Sequence, residues 1–176
     1  LSNRALPFEM YNINEENFNS TLDFVENLEA NIREKTFFRL LPWDVDNTNE
    51  ILKTKILSKK FKLYSENLSY KKILNKSRLN IFNYDSSGFY ENILLGIPSI
   101  IFNKNIFEDL KDDCIDDYKE LIKANLIFKD KNNLKKHINR IWSNPLEWWN
   151  EKSTKEVINI FNSKYNNNYK NNFNIL

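Results

Sequence analysis

Apolar residues recur along the first part of the chain at the spacing of a helix. Steps of three and four residues separate the apolar positions Phe18, Leu22, Val25, Leu28 and Ile32. This period predicts one amphipathic helix over about residues 15–33. The polar residues between these positions would face water, so we expect the helix to lie against a sheet.

Short apolar runs then alternate with helical stretches. The predicted strands cover residues 37–41, 61–64, 78–84, 99–102 and 126–128. The predicted helices between them cover residues 49–57, 69–74 and about two turns from residue 89. This alternation predicts an α/β fold, a Rossmann-like doubly wound sheet whose parallel strands are joined by right-handed crossovers.

The last third of the chain has a helical pattern. Helices are predicted over residues 112–124, 132–142 and 153–165. We therefore expect one domain over residues 1–165, with its C-terminal helices from about residue 104. Residues 166–176 are rich in Asn and are expected to fray.

Composition narrows the function classes. The 26 basic and 24 acidic residues leave a net charge of +2, which does not favour nucleic-acid binding. The single Cys114 excludes an internal disulfide and a cysteine-rich metal site, and it fits a reducing, cytoplasmic compartment. We expect neither a bound metal nor a cofactor. The chain does not begin with Met, so it is expected to be part of a longer protein.

Both glycines lie in one stretch, residues 86–98, between two predicted strands. In such sheets ligands bind at the carboxyl ends of the strands, where this turn lies. Ser86 and Ser87 offer hydroxyls, Gly88 permits close approach, and the following helix start favours a phosphate. Glu91, on the first helical turn, could accept both hydroxyls of a ribose. Alternatively, Ser86 only caps the helix and Glu91 only interacts with its dipole.

The run from Ser86 to Ile100, Ser-Ser-Gly-Phe-Tyr-Glu-Asn-Ile-Leu-Leu-Gly-Ile-Pro-Ser-Ile, resembles the nucleotide-sugar motif of GT-B glycosyltransferases. That motif combines a small-residue turn, a glutamate and a Gly-x-Pro before the next strand. The resemblance implies that the chain is the C-terminal, sugar-donor-binding half of a GT-B fold. The acceptor domain and the catalytic base would then lie in an N-terminal domain of a longer chain.

Further segments resemble the C-terminal part of a bacterial transferase family of surface-carbohydrate biosynthesis, which makes lipopolysaccharide, O-antigen or capsule. They cover residues 39–44, 75–79, 106–113, 118–124 and 137–149. The resemblance implies a nucleotide-sugar substrate, which related enzymes take as a CMP-sugar, and a glycan or lipid-linked acceptor. It also implies a place at the inner face of the plasma membrane. As an isolated half, the chain would bind nucleotide weakly and transfer nothing.

The match to this family is incomplete around residue 43. The family carries a histidine before Asp44, where this chain has Trp43, so a role of that histidine cannot be placed here. Arg39 and Asp44 stay candidate substrate-binding residues, and Arg39 serves equally well in a structural ion pair. A non-catalytic α/β interaction module and half of a sugar-nucleotide epimerase are the alternative functions.

Several conspicuous side chains are better explained by packing. His137 has no neighbour at ligand spacing and is interpreted as a solvated or helix-packing residue. The tryptophans 142, 148 and 149 are expected to anchor a helical corner in the core.

Overall fold

A computed structural model describes residues 2–6, 15–40, 48–64, 77–108 and 110–165. Its strands are β1 (Ser2–Leu6), β2 (Thr36–Phe38), β3 (Lys62–Leu63), β4 (Ser77–Phe82), β5 (Ser99–Phe102) and β6 (Ile127–Phe128). Its helices are α1 (Glu15–Glu26), α2 (Ala30–Arg33), α3 (Thr48–Ser58), α4 (Ser87–Leu94), α5 (Ile115–Lys123), α6 (Lys131–Ile141), α7 (Pro145–Trp149) and α8 (Lys152–Tyr165). A short 3₁₀ helix, Asp112–Cys114, precedes α5.

The strands form one parallel sheet in the order β3-β2-β1-β4-β5-β6. This is the strand order of the Rossmann fold, so the expected doubly wound α/β architecture is confirmed. All four residues of β5 are buried, as are Leu79 to Phe82 of β4. Burial on both faces is what helices covering both sides of a parallel sheet require.

The order of the strands fixes where a ligand can bind. From β1 the chain moves outward to β2 and β3, whereas from β4 it moves the opposite way to β5 and β6. The crossovers therefore leave β1 and β4 in opposite directions, and a crevice opens at the carboxyl ends of these two strands. The segment that follows β4 borders this crevice.

The central strand β1 was not expected from the sequence. Its five residues, Ser-Asn-Arg-Ala-Leu, include no β-branched or aromatic side chain. Its backbone nevertheless pairs on both sides, for example Asn3 with Thr36 of β2 and with Leu79 of β4. Ladder pairing with two neighbours has outweighed a weak intrinsic preference.

The single helix expected over residues 15–33 is in fact two helices, α1 and α2. The amide of Asn27 is shared between the carbonyls of Asp23 and Phe24, both at 3.2 Å, and its side-chain amide also donates to the carbonyl of Asp23 at 2.8 Å. The Arg33 guanidinium then donates to the carbonyl of Glu26 at 2.9 Å. The next amide, that of Leu28, bonds the Val25 carbonyl three residues back at 3.2 Å, so the helical ladder stops here although the apolar period runs on.

Other predicted boundaries differ by a few residues. β2 ends at Phe38, so the strand expected over residues 37–41 is shorter and begins one residue earlier. Residues 83 and 84 lie outside β4 and belong to the turn that follows it. The expected helix over residues 69–74 and the tail 166–176 lie outside the described residues.

The C-terminal helices add to the core, with α6 packed against α1 and α8 packed against α4 and α5. Trp142, Trp148 and Trp149 are 9%, 2% and 1% exposed, so their expected packing role is confirmed. His137 is also buried, with its ring 4.8 Å from that of Trp148. Helix α8 packs against α4, α5 and α7 and leaves Ile160 exposed on its outer side.

Candidate functional site

The candidate site begins where β4 ends. Ser86 is the N-cap of α4: its backbone is extended, and its Oγ accepts a hydrogen bond from the Phe89 amide at 3.3 Å. Ser86 is 5% exposed, so this hydroxyl is inside the protein. The capping interpretation of Ser86 therefore describes what its hydroxyl does in this structure.

The first turn of α4 offers unpaired amides at the edge of the sheet. An α-helix provides no carbonyl for its first N–H groups. The Phe89 amide is already bonded by Ser86, whereas those of Ser87 and Gly88 have no partner inside the helix. Ser87 is exposed and Gly88 half-buried. These two amides and the positive end of the helix dipole form a place where an anion is stabilised.

Helix α4 has one face on the sheet and one face on a cavity. Phe89 and Ile93 are buried against the sheet. Ser87, Glu91 and Leu94, spaced by four and three residues, lie on another side of the helix and line the cavity. The helical period thus places the Ser87 hydroxyl and the Glu91 carboxylate on the same wall.

The cavity has a volume of about 390 Å³ and lies between α4, the segment before α5, and the end of α8. Its lining residues are Asp85, Ser87, Tyr90, Glu91, Leu94, Leu110, Lys111, Cys114, Tyr118, Phe161 and Tyr165. Glu91 is half-buried, and within the described part of the chain its carboxylate makes no hydrogen bond or ion pair. A half-buried carboxylate without a partner is available to a ligand.

One wall of the cavity is a hydrogen-bonded cluster around Asp85. Its Oδ2 accepts from the Tyr118 hydroxyl at 2.6 Å and its Oδ1 from the Tyr90 hydroxyl, and the two hydroxyls contact each other. Burial, and then the negative charge of Asp85, raise the pKa of both tyrosines far above 10. Both phenols therefore stay protonated at neutral pH and fix the orientation of Asp85.

Helix α8 supplies the aromatic part of the lining. The ring of Phe161 stacks on that of Tyr90 at 5.6 Å, with 5° between the planes. The Tyr165 hydroxyl donates to Asp117 of α5, which also pairs with Lys164. The hydrogen bond from Lys164 and then that from Tyr165 hold the pKa of Asp117 below its usual value. These contacts join α8 to α5 across the cavity.

Gly96 ends the helix in the way its sequence position predicts. It has φ +70°, and its amide donates to the Ile93 carbonyl at 3.2 Å. The next amide, that of Ile97, donates to the Asn92 carbonyl at 2.8 Å. This pair of bonds is a Schellman motif, in which the left-handed position favours glycine. The motif turns the chain directly into β5.

Of the two remaining predicted residues, Arg39 is described by the structure and lies next to β2. Arg39 directly follows the end of β2, so it reaches the same edge of the sheet as Ser87. Two strand spacings, roughly 10 Å, separate the ends of β2 and β4. Arg39 is half-buried and has an interaction of its own. Asp44 lies outside the described residues.

A family model, described as the LIC12162 family transferase, matches residues 3–176. The chain belongs to this transferase family. The match covers the sheet from residue 3 onward, the candidate site and the C-terminal helices. No curated protein and no solved structure matches the chain.

Asp85, Tyr90 and Tyr118 of this transferase were not expected at the site. Tyr90 stands inside the glycine-containing stretch, next to Glu91, and its helical position could have placed it on the cavity wall. Tyr118 lies 33 residues after Asp85 on another helix, and no local pattern signals that they meet. Only the packing of α5 beside α4 brings them together.

Two further observations bear on what the transferase can bind. Among the described residues, no three His, Cys, Asp or Glu side chains come together in a way that could hold a metal ion. In the same part of the chain, every helix is too short or too polar to cross a bilayer.

Proposed function

We propose that this transferase is a glycosyltransferase and that the chain binds its nucleotide-sugar substrate in the cavity beside α4. The observation that carries the proposal is that Ser87, Gly88 and Glu91 lie together on the first turns of α4, just after the carboxyl end of β4, with Ser87 and Glu91 on the cavity wall. Rossmann-like sheets bind nucleotides at this position. The membership in a transferase family supports group transfer as the reaction class.

Each residue has a defined role in the proposal. The amides of Ser87 and Gly88, with the Ser87 hydroxyl, bind a phosphate of the nucleotide at the positive end of α4. Glu91 lies one turn further along the helix and accepts the two ribose hydroxyls. Asp85 and its tyrosines form the wall next to this ribose.

The charges around the cavity favour a ligand that has one anionic part and one neutral part. A phosphate beside the free carboxylate of Glu91 would be repelled, whereas one at the amides of Ser87 and Gly88 is stabilised. Lys111 lies on the cavity wall opposite α4 and adds a positive charge. Arg39, which follows β2, and Asp44 complete the proposed substrate-binding set.

The wider setting of the reaction is part of the same proposal. We infer that the sugar acceptor is a glycan or a lipid-linked glycan of the bacterial surface, assembled at the inner face of the plasma membrane. In a GT-B arrangement this acceptor binds a second domain of a longer chain. The isolated chain then binds nucleotide without transferring sugar.

Titration with CMP, UDP and GDP tests the proposal directly. Calorimetry on the unchanged chain and on Glu91→Gln should show one preferred nucleotide whose affinity the substitution lowers by about ten- to a hundredfold, because a hydrogen bond to a charged group contributes about 1.5–3 kcal/mol. Glu147→Gln, on the exposed side of α7, is the matched control and should bind like the unchanged chain. Absence of binding by all three nucleotides, or affinity indifferent to Glu91, would refute the proposal.

A further inference from the structure

A second concave surface lies at the last strand of the sheet, apart from the cavity beside α4. Helices α5 and α6 both pack against β6, and a groove of about 520 Å³ opens between the end of α5 and the side of α6. Small-molecule sites in proteins are clefts of about 300–1,000 Å³. The groove shares no lining residue with the cavity beside α4. It therefore has the size of a separate site for a small ligand.

One side of helix α6 forms a wall of this groove. Asn133, Lys136, His137 and Arg140 line it, and their spacing of three, one and three residues places them together on the helix surface. The buried apolar residues of α6 occupy the adjoining side. His137 is buried as well, whereas Lys136 and Arg140 are exposed. These two cations are accessible to a ligand in the groove.

Neighbouring acids do not neutralise the charge of this wall. In the part of the chain that the structure describes, neither Lys136 nor Arg140 forms an ion pair with a carboxylate. A third cation, Lys129, also lines the groove. The acid in the lining, Asp130, is already engaged, because its Oδ1 accepts from the Asn133 amide at 2.9 Å as the cap of α6. The local charge therefore favours an anionic ligand.

The guanidinium of Arg140 is held in place by a buried imidazole. It donates to Nδ1 of His137 at 3.2 Å. The imidazole is itself enclosed by aromatic rings, those of Phe128 at 5.1 Å and Trp148 at 4.8 Å. Burial lowers the pKa of His137 to about 4, so at pH 7 the ring is neutral and Nδ1 accepts. An arginine whose orientation is fixed in this way loses less conformational entropy when it binds an anion.

The pair of cations suits a phosphate group. Residues four apart on a helix have Cβ atoms about 5–6 Å apart, so the long side chains of Lys136 and Arg140 can converge on one anion. A guanidinium binds phosphate through two parallel N–H···O bonds, and an ammonium adds a point charge. A phosphate monoester carries a charge of about −1.5 to −2 at neutral pH, which matches two cations. A single carboxylate would leave one of them unpaired.

The remainder of the lining suits a polar body beside the phosphate. Asn125 and Asn133 line the groove, and within the described residues their side-chain amides make no hydrogen bond. An amide both donates to and accepts from hydroxyl groups. Sites that bind a membrane surface present exposed apolar residues. The large exposed apolar side chains of the described chain lie outside this groove, at Ile51, Leu57, Leu95, Leu146 and Ile160. The lining therefore favours a soluble, hydroxyl-bearing ligand.

Cations on a helix face can also be simply solvated, or can protect the edge of a sheet from pairing with another chain. Neither role needs a concave surface, a guanidinium fixed from inside the protein, or side-chain amides left without partners. All three features occur together at this groove.

We propose that this groove binds a phosphate monoester of a small polyhydroxy molecule, such as a sugar phosphate. Lys136 and Arg140 hold the phosphate, and Asn125 and Asn133 bond the hydroxyl groups of the body. This site is independent of the proposed nucleotide-sugar site, because the two share no residue.

Calorimetric titration of the whole chain with glucose 6-phosphate, in a low-salt buffer without phosphate, tests the proposal. Binding should be saturable, and the double substitution Lys136→Gln with Arg140→Gln should weaken it at least about tenfold. Lys152→Gln, which removes an exposed cation of α8, is the control and should bind like the unchanged chain. Circular dichroism confirms that each variant is folded. Glucose itself should not bind, and inorganic phosphate should bind at least about threefold more weakly than the ester.

A charge-conserving pair of variants separates a built site from a basic surface. Arg140→Lys keeps the charge but loses the guanidinium fork, so it should weaken binding at least about threefold, whereas Lys136→Arg should change it less than about twofold. Equal affinity of Arg140→Lys and the unchanged chain, or inorganic phosphate that binds as tightly as the ester, would overturn the proposal in favour of a simple anion patch.

Three other outcomes would also overturn it. Ester binding that survives the double substitution would place the phosphate elsewhere, for example at the start of α4. Tighter binding to vesicles that contain phosphatidic acid than to the soluble ester would indicate a membrane-facing surface. Absence of any binding would mean that the cations of α6 are only solvated.

Discussion

Removal of the side-chain hydroxyl should affect stability at one of the two neighbouring serines at the start of α4 and nucleotide binding at the other. Ser86 is buried and caps the helix, whereas Ser87 is exposed and faces the cavity. We expect Ser86→Ala to lower the free energy of unfolding and Ser87→Ala to leave it unchanged. Nucleotide affinity should fall in Ser87→Ala, if the proposed function is correct.

The size of the Ser86 effect follows from its hydrogen bonds. Loss of an N-cap hydroxyl costs typically about 1 kcal/mol. Here the Oγ bond to the Phe89 amide is long, 3.3 Å, and the same amide also bonds the Ser86 carbonyl at 3.0 Å. The amide therefore keeps a partner after the substitution. We expect a loss of about 0.5–1 kcal/mol, which lowers the melting temperature of a chain of this size by roughly 1–4 °C.

Urea unfolding followed by fluorescence measures this difference, because Trp148 and Trp149 are buried in the folded chain. Ser86→Asp keeps a capping oxygen and serves as the control for loss of the cap rather than of a serine. If Ser87→Ala destabilised the chain by more than Ser86→Ala, the assignment of the cap would be refuted. If both substitutions were neutral, the helix start would not depend on a side-chain cap.

Three further variants test other parts of the structure. Burial lowers the pKa of His137 from 6.5 to about 4, so the contribution of this residue to stability is complete above pH 6.5 and falls as the pH drops toward 4. Between pH 8 and pH 5 the free energy of unfolding in urea should therefore fall by about 2 kcal/mol more in the unchanged chain than in His137→Gln. Equal losses would contradict the lowered pKa. Because the pKa values of Tyr90 and Tyr118 are raised in the folded chain, their contribution to stability is complete below pH 10 and is lost as the pH rises above it. The double variant Tyr90→Phe with Tyr118→Phe should therefore lose less stability between pH 9 and pH 11 than the unchanged chain loses. An equal loss in the two proteins would contradict the burial of these tyrosines. Gly96→Ala should lower the free energy of unfolding by about 1–2 kcal/mol, which is the strain of a left-handed backbone at alanine. No steric clash adds to this value, because a Cβ at residue 96 meets nothing within 4 Å. A much larger loss of stability in thermal unfolding would indicate a clash that the structure does not contain.

The sequence predicts those parts of the fold whose signals are local. Strand β5 has the predicted bounds because four buried residues follow directly after Pro98. The start and end of α4 follow from a serine cap and a glycine in the left-handed conformation, which are both short-range features. The break after α1 could not be predicted, because it depends on side-chain bonds of Asn27 and Arg33 that leave the apolar period unchanged.

The candidate site likewise contains residues that a local sequence pattern places together and residues that only the fold brings together. Ser87, Gly88 and Glu91 lie within five residues, so one helix period places them together. The wall formed by Asp85, Tyr118 and the aromatic residues of α8 comes from three separate elements. Side chains that meet through tertiary packing have no periodic signal in the sequence. The grouping of Ser87, Gly88 and Glu91, the proposed phosphate-binding part of the site, could therefore be predicted, and the wall beside it could not.

The missed strand β1 explains why the predicted turn lies at a place suited to ligand binding. The predicted strands alone do not show where the expected doubly wound sheet reverses direction, so the segment after β4 is one strand end among several. With β1 between β2 and β4, the crossovers from β1 and from β4 leave in opposite directions. The helix start at Ser87 then borders the crevice at the carboxyl ends of β1 and β4. The glycine and serine residues of this turn indicate a binding site from the sequence. The physical reason why the turn lies beside the crevice is strand β1, whose residues give almost no strand signal.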